Sequence, residues 1–255
     1  MQRKYEFNFS SMLDNDFYKF TMQQGVIRLF PDAQAKYKFI NRGDHIFPEG
    51  FAKALREAVD QMAQLKLRPE EKHFLQVTCP YLDAVYLDFL DGYRYNPEEV
   101  HIQQNGGSLE VHIEGNWYRT ILWEVPLMSM ICELYYQLTG LEKVPNEEVI
   151  RRTKEKIENY KRLGVTVADF GTRRRHSYAV HRLVLQTLSE YGKGSFIGTS
   201  NVHMAMLHQT KPIGTHAHEW FMFHAAKYGF KMANAMGLEH WVDVYRGDLG
   251  IALSD

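Results

Sequence analysis

An α/β fold is predicted, in which a first α/β unit precedes the opening strands of a parallel-sheet domain. Three observations predict it. Beyond Gly164 the chain repeats a short apolar strand, a polar turn and a helix, the order that right-handed crossovers on a parallel sheet require. Before Gly164, helical periodicities and alternating stretches follow one another without a fixed rhythm. The composition supports a packed core, because 45% of the 255 residues are hydrophobic and 24% charged, which argues against disorder, collagen-like repeats and coiled coil. The length fits one large domain or two smaller ones at roughly 100–200 residues each.

Each element has its own signal. Residues 11–29 read as a helix that Ser11 or Asp14 can cap, with Met12, Phe17, Phe20, Met22, Val26 and Leu29 mostly three or four apart and Pro31 as the stop. Ala35 to Ile40 alternates like a strand with one buried face. Pro48-Glu49-Gly50 opens an amphipathic helix to about Leu65, and Pro69-Glu70-Glu71 opens another. Residues 98–123 read as three strands: Val100–Ile102, Leu109–Ile113 after an Asn105-Gly106-Gly107 turn, and Trp117–Trp123. Helices over 127–139 and 146–163 follow, the second capped by Asn146 with Glu147 and Glu148 in its first turn.

In the second half, Val165–Phe170, Gly194–Gly198, Lys211–Gly214 and His240–Val244 are strand candidates, separated by helices over about 176–191, around Met204 and Leu207, and to about Tyr228. Leu249–Asp255 resembles one more strand and the start of its loop. Four strands fall short of the eight of a closed barrel, so the chain reads as truncated. The polar, glycine-containing segments fall directly after the strands, and the C-terminal edge of such a sheet is where ligands bind.

Net charge narrows the function. Thirty basic side chains against 31 acidic leave −1, without the basic surplus expected of a protein that neutralises phosphates along nucleic acid. Two cysteines, Cys79 and Cys132, build no disulfide framework and suit a reducing compartment. Met1–Phe7 lacks the apolar core of a signal peptide, and no apolar run approaches the roughly 20 residues that span a bilayer. The expectation is a soluble cytoplasmic protein with neither nucleic acid nor membrane as partner. Aromatics, with 15 Tyr and 15 Phe, serve core packing and also suit pockets that stack flat ligands. No G-x-G-x-x-G and no P-loop is present.

The candidate chemistry gathers after the strands. Arg173, Arg174 and Arg175 follow Phe170-Gly171-Thr172; they are either a solvated cluster or an anion site, since Arg matches a planar carboxylate or phosphate by two parallel hydrogen bonds. Five of the 12 histidines lie between 203 and 224. His216 and His218 project to one side of an extended chain, which invites a metal site. Against it, only Asp169, Asp243 and His203 could complete the ligand set. His218 also suits acid–base or nucleophilic chemistry, its tautomer fixed by Glu219, Asp243 or another carboxylate, at a helix N-terminus that favours phosphate. Asp14-Asn15-Asp16-Phe17-Tyr18-Lys19 is either a charged helix start or a site where Tyr18 stacks on a ring while Lys19 or an Asp faces a phosphate or cation.

Leu13–Met22, Asp169–Arg175, Gly198–Val202, Pro212–Trp220 and Leu249–Asp255 together resemble the bacterial-type nicotinate phosphoribosyltransferase family, in the family's order from end to end. The resemblance implies an α/β fold with an N-terminal α/β sandwich-like domain (1–123) and the first part of a type II phosphoribosyltransferase α/β barrel (124–255). It implies transfer of phosphoribosyl from phosphoribosyl pyrophosphate to nicotinate, giving nicotinate mononucleotide and pyrophosphate. That reaction is coupled to ATP with Mg²⁺ and carried out by a homodimer in NAD salvage.

By the same resemblance His218 is the phosphohistidine, with Glu219 as the second catalytic residue, and Arg173 and Arg174 hold the nicotinate carboxylate. Tyr18, reaching across from a second subunit, and Thr215 lie near the pyridine. Phe170, Gly171, Ser200, Asn201 and Asp243 are further substrate-site candidates. Position 216 departs from the pattern in being His where an apolar residue is expected, which makes His216 a rival phosphoryl acceptor. The competing readings are a metal-dependent barrel hydrolase using His216 and His218, a quinolinate phosphoribosyltransferase-like enzyme that needs no ATP, and a truncated binding or scaffold domain.

Overall fold

The computed structural model describes residues 9–141 and 143–251. Helix α1 (Phe17–Leu29) is its centre. The spacing predicts an amphipathic helix, yet every residue from Phe17 to Val26 is buried, so other elements surround it on all sides. It begins at Phe17 rather than Ser11, because residues 13–16 form a turn that is bonded to the second half of the chain, Asp16 pairing with Asn201. Phe17 N–H donates to the Ser200 carbonyl (2.7 Å), and the N–H groups of Val202 and His203 return to Asn15 and Leu13 (3.1 and 2.9 Å).

The first sheet is antiparallel in the order β1 (Gln34–Lys38), β3 (Ser108–Asn116), β2 (Val100–Asn105). Asn105 pairs with Ser108 across the predicted Gly106-Gly107 turn, and Gln34 pairs with Asn116. The third strand expected at Trp117–Trp123 is corrected: β1 takes that place, and Trp117–Thr120 turns into the short helix α5. Aromatic and β-branched residues favour strand locally, but Trp117 N–H is taken by the Ala33 carbonyl (2.7 Å), which ends the sheet there. Helix α2 (Phe51–Met62) packs on β2, and α3 (Pro69–Thr78) and α4 (Ala84–Gly92) pack on each other. The last of these carried no separate sequence signal. Helices α6 (Glu124–Thr139) and α7 (Asn146–Leu163) follow; Asn146 is the first helical residue, and Pro145 holds the cap position.

The second half carries β4 (Val167–Asp169), α8 (Tyr178–Tyr191), β5 (Phe196–Thr199), α9 (Val202–Leu207), α10 (His218–Tyr228) and α11 (Phe230–Tyr245). β4 and β5 pair in parallel, as the alternation predicts. The strand expected at Lys211–Gly214 shrinks to one parallel bridge between Thr199 and Pro212. The strand expected at His240–Val244 is corrected to the end of α11. Val242 and Val244 alternate over too short a run to decide, whereas Ala233, Gly237, Trp241, Val244 and Tyr245 are the buried face of a helix. Of the run 249–255, residues 252–255 lie outside the described residues, and Leu249–Ile251 joins no strand. Among the described residues no helix is long and apolar enough to cross a membrane.

Gly198 is the tightest point of the parallel sheet. Its φ is +147°, and a Cβ there would stand 2.3 Å from the Lys211 carbonyl oxygen. Gly198→Ala is therefore expected to cost at least about 1–3 kcal/mol, the usual range for overpacking, read as a lower midpoint in a urea melt.

Candidate active site

The arginine triplet sits just after β4, where Thr172–Arg174 forms a single 3₁₀ turn. Three residues complete such a turn, so adjacent side chains diverge. Arg175 points inward and is buried: Nη1 and Nη2 donate to Asp14 (2.7 and 2.8 Å) and Nε to Glu133 (2.7 Å). Arg173 and Arg174 point outward. The Arg173 side chain, 45% exposed, is braced by Glu124 (2.9 Å). Both arginines line a groove of about 910 Å³ with Tyr37, His45, Glu124 and Tyr135, ample for a small ligand.

Asp14, Asn15 and Asp16 are all buried, so the charged helix start of the sequence reading is corrected. Asp14 takes Arg175 and Asn201 (2.7 Å), Asn15 donates to the Leu122 carbonyl (2.8 Å), and Asp16 accepts from Tyr18 (2.9 Å) and Ser200 (2.7 Å). Burying a carboxylate needs this degree of compensation. Burial and the Asp16 charge push the Tyr18 hydroxyl far above the usual tyrosine range, so it remains a donor. Tyr18 stands beside Gly214 in the same chain and close enough to Arg173 to feel its charge.

Lys19 faces neither an open phosphate site nor solvent. It is fully buried, and its ammonium bridges Glu219 and Glu124 (2.5 Å to Glu124). Glu219 also accepts from the Tyr37 hydroxyl and from Trp117 Nε1 (2.6 Å). Burial pushes the Glu124 carboxyl up, but Lys19 and Arg173 outweigh it and hold the group at about 2.

His218 is the first residue of α10 and is exposed. The turn before it is pinned to α1: the Thr215 carbonyl accepts from the Thr21 hydroxyl, and Ala217 N–H meets Met22 Sδ (3.3 Å). His216, two residues away, is buried edge-on against Phe221 and Trp241 (ring centroids 5.0 and 4.8 Å). Among the described residues no three His, Cys, Asp or Glu side chains gather as a metal ion requires.

The remaining predicted residues divide. Phe170 is exposed, while Gly171 N–H is tied to Asp169 (3.2 Å), whose other oxygen meets His181 Nε2 (2.9 Å) and Thr199 (2.7 Å). Ser200 and Asn201 are buried and bonded to Asp16 and Asp14. Asp243 is corrected from a strand end to an exposed position on α11. Glu124, Tyr37 and Trp117 were not singled out by sequence. The one available signal was Lys19 itself, a lysine inside an apolar helix that demands a carboxylate, though not which one.

The model of the nicotinate phosphoribosyltransferase N-terminal domain matches residues 13–132, and that of the nicotinate phosphoribosyltransferase family matches residues 165–255. Together they take in most of the chain. The chain belongs to the nicotinate phosphoribosyltransferase family. It is similar to the nicotinate phosphoribosyltransferase of Chromohalobacter salexigens, 63% identical over 96% of this chain and 63% of the relative. The same-named protein of Desulforapulum autotrophicum is 47% identical over the same shares. A crystal structure of nicotinate phosphoribosyltransferase from Porphyromonas gingivalis superposes with a TM-score of 0.91 at 44% identity, over 95% of this chain and 62% of that one. The chain thus spans somewhat under two thirds of the relatives it matches. Its fold is that of the family's N-terminal domain followed by part of the type II phosphoribosyltransferase domain.

Proposed function

We propose that the protein transfers phosphoribosyl from phosphoribosyl pyrophosphate to nicotinate, coupled to ATP through a phosphohistidine. The observation that carries this is the splitting of the arginine triplet: one arginine is spent on the fold, and two are turned to a groove that the buried Lys19–Glu219 pair connects to the His218 turn. The family membership supports the reaction. We divide the chain after Trp123, with 1–123 as the N-terminal domain and 124–255 as the first part of the barrel domain. A homodimer in the cytoplasm is part of the same reading.

Nicotinate is a flat ring carrying one carboxylate, which suits the bidentate fork of Arg173 with Arg174 beside it. Tyr18 and Thr215 are assigned to the ring by the family resemblance, and Tyr18 is near enough to Arg173 to feel its charge. Holding the ring in line lets its nitrogen attack the anomeric carbon as pyrophosphate leaves, while positive charge develops on the sugar. His218, exposed at a helix N-terminus, suits a phosphoryl group, which the dipole of α10 would stabilise. Glu219 serves that turn as an anchor, both of its oxygens being engaged by Lys19, Tyr37 and Trp117. The described residues supply no ready ligand set for Mg²⁺, since Asp14, Asp16 and Asp169 are bonded to protein partners. An ion carried by the phosphates of its substrates needs few protein ligands.

The test uses protein from the complete reading frame, incubated with labelled ATP and Mg²⁺ and mapped by mass spectrometry. Acid-labile phosphate is expected on His218, discharged on adding nicotinate and phosphoribosyl pyrophosphate, and absent from His218→Ala. Phosphate on His216 would move the site; its burial argues against that. No phosphohistidine at all would end the ATP-coupled reading.

A further inference from the structure

Among the groups surrounding the groove, Lys19 stands out. It is a full positive charge with no exposed surface, and it is held between two carboxylates that face different parts of the site. On one side is Glu219, clamped by Tyr37 and Trp117 and so fixed from three directions. On the other is Glu124, whose second oxygen takes Nη1 of Arg173. The four charges run Glu219, Lys19, Glu124, Arg173 and alternate in sign, from a rigid anchor to the arginine at the groove. Burying a lysine costs several kcal/mol unless it is well paired. What a cation serves at this position is the pair of carboxylates, since Glu124 and Glu219 both turn an oxygen to it.

We infer that Lys19 is a positioning residue for the substrate carboxylate: acting through Glu124, it sets where the Arg173 guanidinium stands in the groove. This rests on the assignment of Arg173 to nicotinate. Without Lys19, Glu124 has Arg173 as its one remaining cation in this chain of charges and draws the guanidinium toward itself. The site also becomes more negative by one charge. Both effects oppose an anionic ligand at Arg173, whereas Glu219 keeps its bonds from Tyr37 and Trp117 and with them its hold on the His218 turn.

Steady-state kinetics of the full-length protein test this. In Lys19→Met the KM for nicotinate is expected to rise about tenfold or more, while kcat at saturating nicotinate and the KM for phosphoribosyl pyrophosphate stay within about threefold. A general loss of structure would instead move all three together. Lys19→Arg preserves the charge between the two carboxylates, but its guanidinium is larger than an ammonium and binds through a rigid fork, so Glu124 must shift to meet it. The same selective rise, at least about threefold, is expected there, and it decides the matter if Lys19→Met does not fold. An unchanged nicotinate KM, or parallel loss in all three parameters, would overturn the inference while leaving wild-type turnover as support for the proposed function. A wild type that turns over no nicotinate would overturn the proposed function and this inference with it.

Discussion

Arg173→Ala is expected to lower kcat/KM for nicotinate by roughly 10- to 150-fold in the full-length protein, since hydrogen bonds to a charged group contribute about 1.5–3 kcal/mol. The loss should appear chiefly in KM, because the carboxylate is present in ground state and transition state alike. Arg173→Lys should recover little, a point charge being unable to make two parallel bonds. Arg174→Ala should cost less than Arg173→Ala, because Arg173 has the Glu124 brace that fixes its direction. Nicotinamide lacks the carboxylate, so its turnover should barely respond to Arg173→Ala. A nicotinate kcat/KM within threefold of wild type would remove Arg173 from the substrate site.

Two positions further along, the same substitution should have the opposite signature. Arg175→Ala leaves Asp14 and Glu133 buried without their cation, and breaking a buried pair in this way costs about 3–5 kcal/mol. At roughly 2–4 °C per kcal/mol for a domain of this size, Tm should fall by roughly 6–20 °C in calorimetry. Arg175 also joins the N-terminal segment to the turn after β4, so its loss loosens the seam along residues 13–17 and 200–203. Arg173→Ala, removing one partly exposed ion pair, should shift stability by no more than about 1 kcal/mol. If Arg175→Ala were as stable as wild type, the buried network could not be what holds these segments together.

Much of this was legible from local pattern. The helices at 51–62, 69–78 and 146–163 announce themselves by Pro or acidic first turns followed by periodic apolar residues, and the Gly106-Gly107 hairpin by its turn residues. The errors came where local preference was overruled. Trp117–Trp123 has a strand's composition, but its first backbone N–H is taken by Ala33, and its indole reaches Glu219. His240–Val244 was too short a run to tell strand from helix until the preceding buried positions were counted. Asp243 belongs to that run and so stands on a helix instead of a strand.

The sequence alone determined which residues are chemically able to serve: three arginines after a strand, a histidine at a helix start, and an Asp-Asn-Asp-Phe-Tyr-Lys segment at the N-terminus, in an order that matches the family. It could not apportion them. Sequence does not rank Arg173, Arg174 and Arg175, and only the backbone, a 3₁₀ turn through Arg174 that becomes extended at Arg175, makes two available to a ligand and one a buried cation. Lys19, read along the chain, is one more charge near a helix start; in the folded protein it joins Glu124 to a carboxylate 200 residues away. Such pairings are set by packing between distant segments, because a buried charge must find its counter-charge wherever the chain brings one, and local sequence does not say where that is.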